Sequence, residues 1–249
     1  MRVGHFFKLF GLFLVCLLIT SGCGQEDEKG AVKDLPFVVF FDQTEQRFLL
    51  RSVSLRADSV DMILYSADIA NSSGMRDGLC GIGDFSIDFQ NKVNSKYYNA
   101  EVLVWRETLL SEFNIVEDPD NVQGDSLTVS WSKGCSFIGH ILFLKLTQVV
   151  LTGAEYSYDL SYDALEPPVE NTFILDLNAI MTQQDTDTTS VSKTIGLTFD
   201  LKDFFTMYAD RDTFGFVINY ISGLTNVGLN KYDKYKLPVP LTSNPVEKK

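Results

Sequence analysis

"GAEYSYDLSYD", residues 153–163, contains two sequences when read at alternate positions. Tyr156, Tyr158, Leu160 and Tyr162 form one; Glu155, Ser157, Asp159, Ser161 and Asp163 form the other. A period of two marks an extended strand, whose successive side chains point to opposite faces. The stretch therefore has an aromatic side and an acidic side. Burying the acidic side would strip Glu155, Asp159 and Asp163 of water at large cost, so the tyrosine side is expected to face a core. Each buried tyrosine hydroxyl then needs a hydrogen-bond partner. Strand ends escape this constraint. Tyr156 and Tyr162 are accordingly the candidates for a ligand-binding aromatic rim, completed by loop 163–170 with Pro167 and Pro168.

The same alternation recurs along the chain. Phe85, Ile87 and Phe89 oppose Ser86 and Asp88; Leu127, Val129 and Trp131 oppose Thr128 and Ser130. Phe173, Leu175 and Leu177 oppose Thr172, Asp176 and Asn178. Val191, Ile195, Leu197, Phe199 and Leu201 share a face, as do Phe214, Phe216, Ile218 and Tyr220. Further runs lie near 47–56, 59–66, 98–105 and 137–151, the last apolar on both faces at 141–144. About ten one-sided strands without interleaved long helices imply an all-β protein, an antiparallel β-sandwich. At most one or two short helices are expected: one at 107–116, and a turn at 201–205 capped by Asp200. The sandwich domain is expected to span 36–236, with EDPDNVQGD (117–125) as a loop inside it and 237–249 as a loose tail.

The first residues have a different character. MRVGHFFK carries Arg2 and Lys8, and an apolar run follows from Leu9 to Ile19. A basic start, a short apolar run and small residues after it describe a secretory signal, and the run falls short of the roughly 20 residues a spanning helix needs. The ending Ile19-Thr20-Ser21-Gly22-Cys23 resembles the lipobox of bacterial lipoproteins, with Thr20 where leucine is usual. The resemblance covers residues 1–23 only. It implies cleavage after residue 22 and fatty acylation (palmitate-type chains) at Cys23. Two or three acyl chains hold a protein to a bilayer stably. Residues 23–35 are polar and acidic and are expected to form a flexible tether. Gly24 rather than Asp after the cysteine fits the outer-membrane sorting preference of enteric bacteria, and Glu26, Asp27 and Glu28 look like a surface-export signal of some Bacteroidetes lipoproteins.

Composition narrows the partners. The 249-residue chain has a net charge of −12, and loss of residues 1–22 removes two basic residues and no acid, giving −14. Such a surface repels phosphate backbones, so no nucleic-acid partner is expected. Cys80 and Cys135 are the cysteines left after the signal and the anchor, and export favours a disulfide between them. Two cysteines and His140 are too few for a zinc site.

Catalytic signals are sparse. His140 is the one histidine after the signal and sits in an apolar strand; no G-x-S-x-G elbow occurs. The glycines of GLCGIGD (78–84) precede a strand instead of opening a helix, which is not the phosphate-loop arrangement. Three acid pairs, Asp118 with Asp120, Asp185 with Asp187 and Asp210 with Asp212, read as solvated turns. Asp210 and Asp212 are the pair selected should calcium bind, because a strand follows directly; no other cofactor is expected. The chain thus reads as a noncatalytic, membrane-anchored binding or interaction module of the cell envelope, with an envelope protein or a glycan as partner. Two alternatives stay open: a periplasm-facing structural or assembly lipoprotein, and a carbohydrate-active enzyme using two carboxylates.

Overall fold

The computed structural model describes residues 29–53, 61–117, 127–183, 189–224 and 230–237. The first body is built from β1 (Lys29–Asp42), β2 (Arg47–Val53), β3 (Asp61–Tyr65), helix α1 (Ala67–Ala70), β4 (Cys80–Val93) and β5 (Tyr97–Glu107). These five strands close into a barrel in the order β1-β2-β3-β5-β4, with β4 paired back onto β1. Only β3 and β5 run parallel, through Leu64 opposite Tyr98 and Tyr65 opposite Asn99. This is the connectivity of an OB-fold barrel, whose closure removes exposed strand edges. The alternating apolar positions explain it. Phe37 and Val39 of β1, Leu50 of β2, Leu64 of β3 and Phe85 with Ile87 of β4 all point inward and are fully buried or nearly so. Helix α1 is too short to stand alone and is held by Ile69, which is buried in the same cluster.

The second body contains β6 (Leu109–Val116), β7 (Val129–Ile138), β8 (Ile141–Leu151), β9 (Glu155–Asp163), β10 (Thr172–Gln183), β11 (Ser190–Asp200), helix α2 (Lys202–Met207), β12 (Gly215–Leu224) and β13 (Asn230–Lys236). They form one eight-stranded sheet in the order β13-β12-β10-β9-β6-β11-β8-β7. The sheet curls until its far sides meet: Phe137 of β7 lies 5.2 Å from Phe216 of β12, ring centre to ring centre. The enclosed core is aromatic. Phe204 and Phe205 of α2 are fully buried and enter it from one end, among Tyr162, Phe173, Phe214 and Phe216. Asp200 Oδ1 accepts the Lys202 N–H at 2.9 Å, as its expected role at the helix start requires, although Leu201 stands at the cap position itself.

The all-β reading holds, and its finer form needs correction. The structure is a closed barrel joined to a curled sheet, in place of an antiparallel sandwich of about ten strands. Thirteen strands occur among the described residues, and β6 with β9, β6 with β11 and β10 with β12 pair in parallel. Alternation reports that one face of a strand is buried; it is the same whichever neighbour the strand takes, so partner and direction were not encoded in it. The helix expected at 107–116 is strand β6. Phe113 and Ile115 alternate onto the core, and hydrogen bonding to β9 and β11 on both sides overrides any local helical preference. Strand β1 begins at Lys29, paired with Asp88, so pairing reaches into the segment read as a tether. The loop expected at 117–125 lies almost wholly outside the described residues, as does the tail beyond Leu237.

The two bodies meet at a small third cluster of Cys80, Ile82, Ile138 and Phe143. Lys145 Nζ reaches Asp34 Oδ2 across the junction at 2.6 Å, and the Thr108 hydroxyl lies 3.4 Å from that of Thr198. Gly196 permits this approach. A Cβ there would stand 2.8 Å from Ile82 Cδ1 and 3.2 Å from Thr108 Cγ2. Gly196→Val is therefore expected to destabilise the protein by about 2 kcal/mol, because overpacking forces the junction apart. Urea denaturation checks this, and an unchanged midpoint would show that the junction yields freely.

Candidate functional site

The site arises where strand β6 begins. Its first residues pair with β11, Leu109 opposite Leu197 through Ser111 opposite Phe199. Its later residues pair with β9, Glu112 opposite Asp159 through Val116 opposite Asp163. Residues 190–196 of β11 pair with β8 and residues 155–158 of β9 pair with β10, and neither stretch pairs with β6. The turn after β8, with Gly153 at φ +79°, closes the far end of this gap. The Arg106 and Glu107 end of β5 borders the near end.

Side chains fill the gap from inside. The Tyr156 hydroxyl accepts the Leu151 N–H at 2.7 Å, and the Tyr158 hydroxyl donates to Gln148 Oε1 at 2.7 Å. Both bonds tie β9 across to β8, and they are partners of the kind that buried tyrosines require. Gln148 is itself buried, and burial pushes the Tyr158 phenol up to about 12. What remains outside these rings is an open groove of ≈ 520 Å³. Its apolar surface comes from Leu109, Val150, Val191 and Ile195 with the two tyrosines. Leu109 and Val191 are 53 % and 46 % exposed, high values for apolar residues placed in core-facing register. The charged lining residues are Arg106, Glu107 and Lys193. Glu107 is bound by Arg76, whereas Arg106 and Lys193 form no ion pair among the described residues.

Of the two rim tyrosines, Tyr156 lines this groove and Tyr162 does not. Tyr162 is 1 % exposed and packs edge-on against Phe204 and Phe173. Its hydroxyl lies 2.7 Å from that of Tyr208 and 3.3 Å from the Glu166 carbonyl, which it can reach as donor. Burial, followed by the Tyr208 hydroxyl, holds its pKa well above the ordinary tyrosine range. Helix α2 covers the strand end that was expected to be free, so Tyr162 is a core residue and its assignment as a ligand-binding residue is corrected. The acidic side of β9 faces away from this core as expected. Glu155 is exposed, and Asp159 is half-buried, its carboxyl raised by desolvation against the opposing Asn178 hydrogen bond.

The remaining candidates lie elsewhere. Asp210 and Asp212 are exposed, and Arg211 between them reaches Asn171 Oδ1 at 2.5 Å and stacks over Phe173 and Tyr208. No group of three or more His, Cys, Asp or Glu side chains placed to share a metal ion occurs among the described residues. His140 Nε2 lies 3.5 Å from Asp200 Oδ1 at the start of α2. Cys23 falls outside the described residues.

Cys80 and Cys135 are free thiols, which corrects the expected disulfide. Cys80 packs at the junction of the two bodies and donates to the Gly78 carbonyl at 3.5 Å, while Cys135 packs against the core of the curled sheet. Even parity and export carry no information on the Cβ geometry that a bridge demands. Burial raises the two thiols to about 11 and about 12, respectively. Both are expected to react with iodoacetamide at pH 8 at least about a hundredfold more slowly than an unperturbed cysteine, and at full rate after unfolding. Thiol titration before and after denaturation reads this out, and thiols absent even from the unfolded chain would restore the bridge.

The groove was not legible as a unit in the sequence. Arg106, Leu109, Val150, Val191 and Lys193 are brought together by strand pairing across more than eighty positions. Of these lining residues, only Tyr156 carries a sequence signal, its place at the end of an aromatic face.

No protein-family model matches the sequence, and no curated protein matches it significantly. The fold recurs in solved structures. An uncharacterized protein from Parabacteroides merdae matches with a TM-score of 0.59 and 16 % identity, over 81 % of this chain and 95 % of its own. A provisionally named lipoprotein from Bacteroides fragilis matches with a TM-score of 0.53 and 10 % identity, over 84 % and 97 %. A NigD-like immunity protein from Bacteroides caccae matches with a TM-score of 0.51 and 11 % identity, over 84 % and 97 %. At these identities the likeness is one of fold, and it extends over most of this chain and nearly all of each of the others.

Proposed function

We propose that this protein is a cell-envelope lipoprotein, anchored through Cys23 to the outer membrane, whose β body binds a ligand or partner without transforming it. The observation that carries the reading is the apolar run ending in Thr20, Ser21, Gly22 and Cys23, followed directly by an acidic stretch. The fold shared with a provisionally named Bacteroides lipoprotein supports it. Its noncatalytic character is supported by the groove, where Glu107 is the only carboxylate among the lining residues and is held by Arg76. Glycoside hydrolysis by paired carboxylates needs a second acid facing the first.

The test is made at the amino terminus. Protein purified from membranes is expected to begin at Cys23 and to carry the added mass of a diacylglyceryl group, and Cys23→Ala should move it to the soluble fraction. An unmodified amino terminus on freely soluble protein would remove the basis of the proposal. Protease treatment of intact cells separates a surface-facing protein, which is cut, from a periplasm-facing assembly lipoprotein, which is protected.

A further inference from the structure

We infer that the groove at the start of β6 binds an amphiphile with an anionic head and an unbranched apolar body, of which a medium-chain carboxylate is the simplest member. The inference rests on the noncatalytic binding reading above and names the ligand class for that site. It stands on charge and polarity together. Two cations without ion-pair partners among the described residues, Arg106 and Lys193, border one groove in a chain whose net charge is −12. Glu107, the third charged lining residue, is bound to Arg76. Two positive groups lining an apolar cleft attract an anion and repel a cationic amphiphile of the same length.

The remainder of the groove suits the ligand body. Leu109, Val150, Val191 and Ile195 supply aliphatic surface; the Tyr158 hydroxyl donates to Gln148 Oε1 and the Tyr156 hydroxyl accepts the Leu151 N–H. Those rings therefore present mainly carbon to an occupant. A volume of ≈ 520 Å³ lies within the range of small-molecule sites, which typically combine an apolar lining with a few placed polar groups. The strands that flank the groove are held in place by pairing on their other sides, β9 with β10 and β11 with β8.

The experiment uses the chain from residue 23 onward with Cys23→Ala, so that no attached acyl chain competes. Hexanoate, octanoate, decanoate and decyltrimethylammonium are titrated by calorimetry, with proton NMR of the ligand before and after. Decanoate is expected to bind, with affinity falling about fourfold for each CH₂ removed. Decyltrimethylammonium is expected to bind at least about tenfold more weakly. Arg106→Glu with Lys193→Glu should weaken decanoate about tenfold. Both positions are exposed, so the melting temperature is expected to hold. Val191→Trp, which fills the groove from an exposed position, should abolish binding. Equal binding of the two ten-carbon amphiphiles, or decanoate binding unaffected by all these substitutions, would overturn the inference and leave the anchored-module reading standing. Chemical conversion of the carboxylate would instead overturn the noncatalytic reading and retain the site.

Discussion

Phe204→Ala is expected to cost about 3–5 kcal/mol of folding stability, the range for removing a fully buried aromatic ring. Phe204 is 0 % exposed and belongs to the aromatic core that the curled sheet encloses. Its ring centre lies 4.9 Å from that of Phe173, 5.2 Å from Tyr162, 5.5 Å from Phe205 and 5.7 Å from Phe216. Most of these contacts are edge-on, the arrangement that ring quadrupoles prefer. Helix α2 has only six residues and cannot persist by backbone hydrogen bonding alone, so Phe204 and Phe205 are what hold it in place. Losing Phe204 would empty the position and loosen the helix that covers Tyr162. Urea denaturation followed by circular dichroism reads the loss. A cost below about 1 kcal/mol would show that the helix does not seal this core.

Phe85→Ala is expected to cost a similar amount, about 3–5 kcal/mol, in the barrel. Phe85 is 0 % exposed and meets Phe37 edge-on at 5.8 Å; Phe37 leans in turn on Trp105 at 6.1 Å. The barrel is small, so one missing ring is a large part of its core. The paired experiment is informative about cooperativity. The bodies have separate main cores and share the junction cluster of Cys80, Ile82, Ile138 and Phe143. If that cluster couples them, Phe85→Ala and Phe204→Ala shift a single transition. If it does not, Phe85→Ala produces an early transition in which Trp105 fluorescence changes while the curled sheet remains folded.

Several elements were legible from residue order. The faces Phe85–Ile87, Phe173–Leu175–Leu177 and Leu197–Phe199 are buried as their alternation indicated. Tyr158 and Leu160 face the core, and the tyrosine hydroxyls found partners. Strand β6 was misread because Glu107 to Val116 lacks a single clean alternation: Leu109 and Leu110 are both exposed, and the strand changes neighbours midway. Tyr162 was misplaced for a related reason. Its strand end would be free in isolation, and a helix starting about forty positions later covers it.

Periodicity, a property of neighbouring residues, by itself determined the all-β class and the inward side of most strands. It could do so because the alternation of side chains along a strand is a local fact. The tertiary structure alone decided that the strands divide into a barrel and a curled sheet, and that Cys80 and Cys135 stay apart as thiols. It alone placed Arg106, Tyr156 and Lys193 around one groove. Those outcomes depend on which strand edges hydrogen-bond to each other, and backbone N–H and C=O groups are the same in every residue but proline. Their pairing is selected by the packing of the whole chain, so no short stretch of it carries the answer.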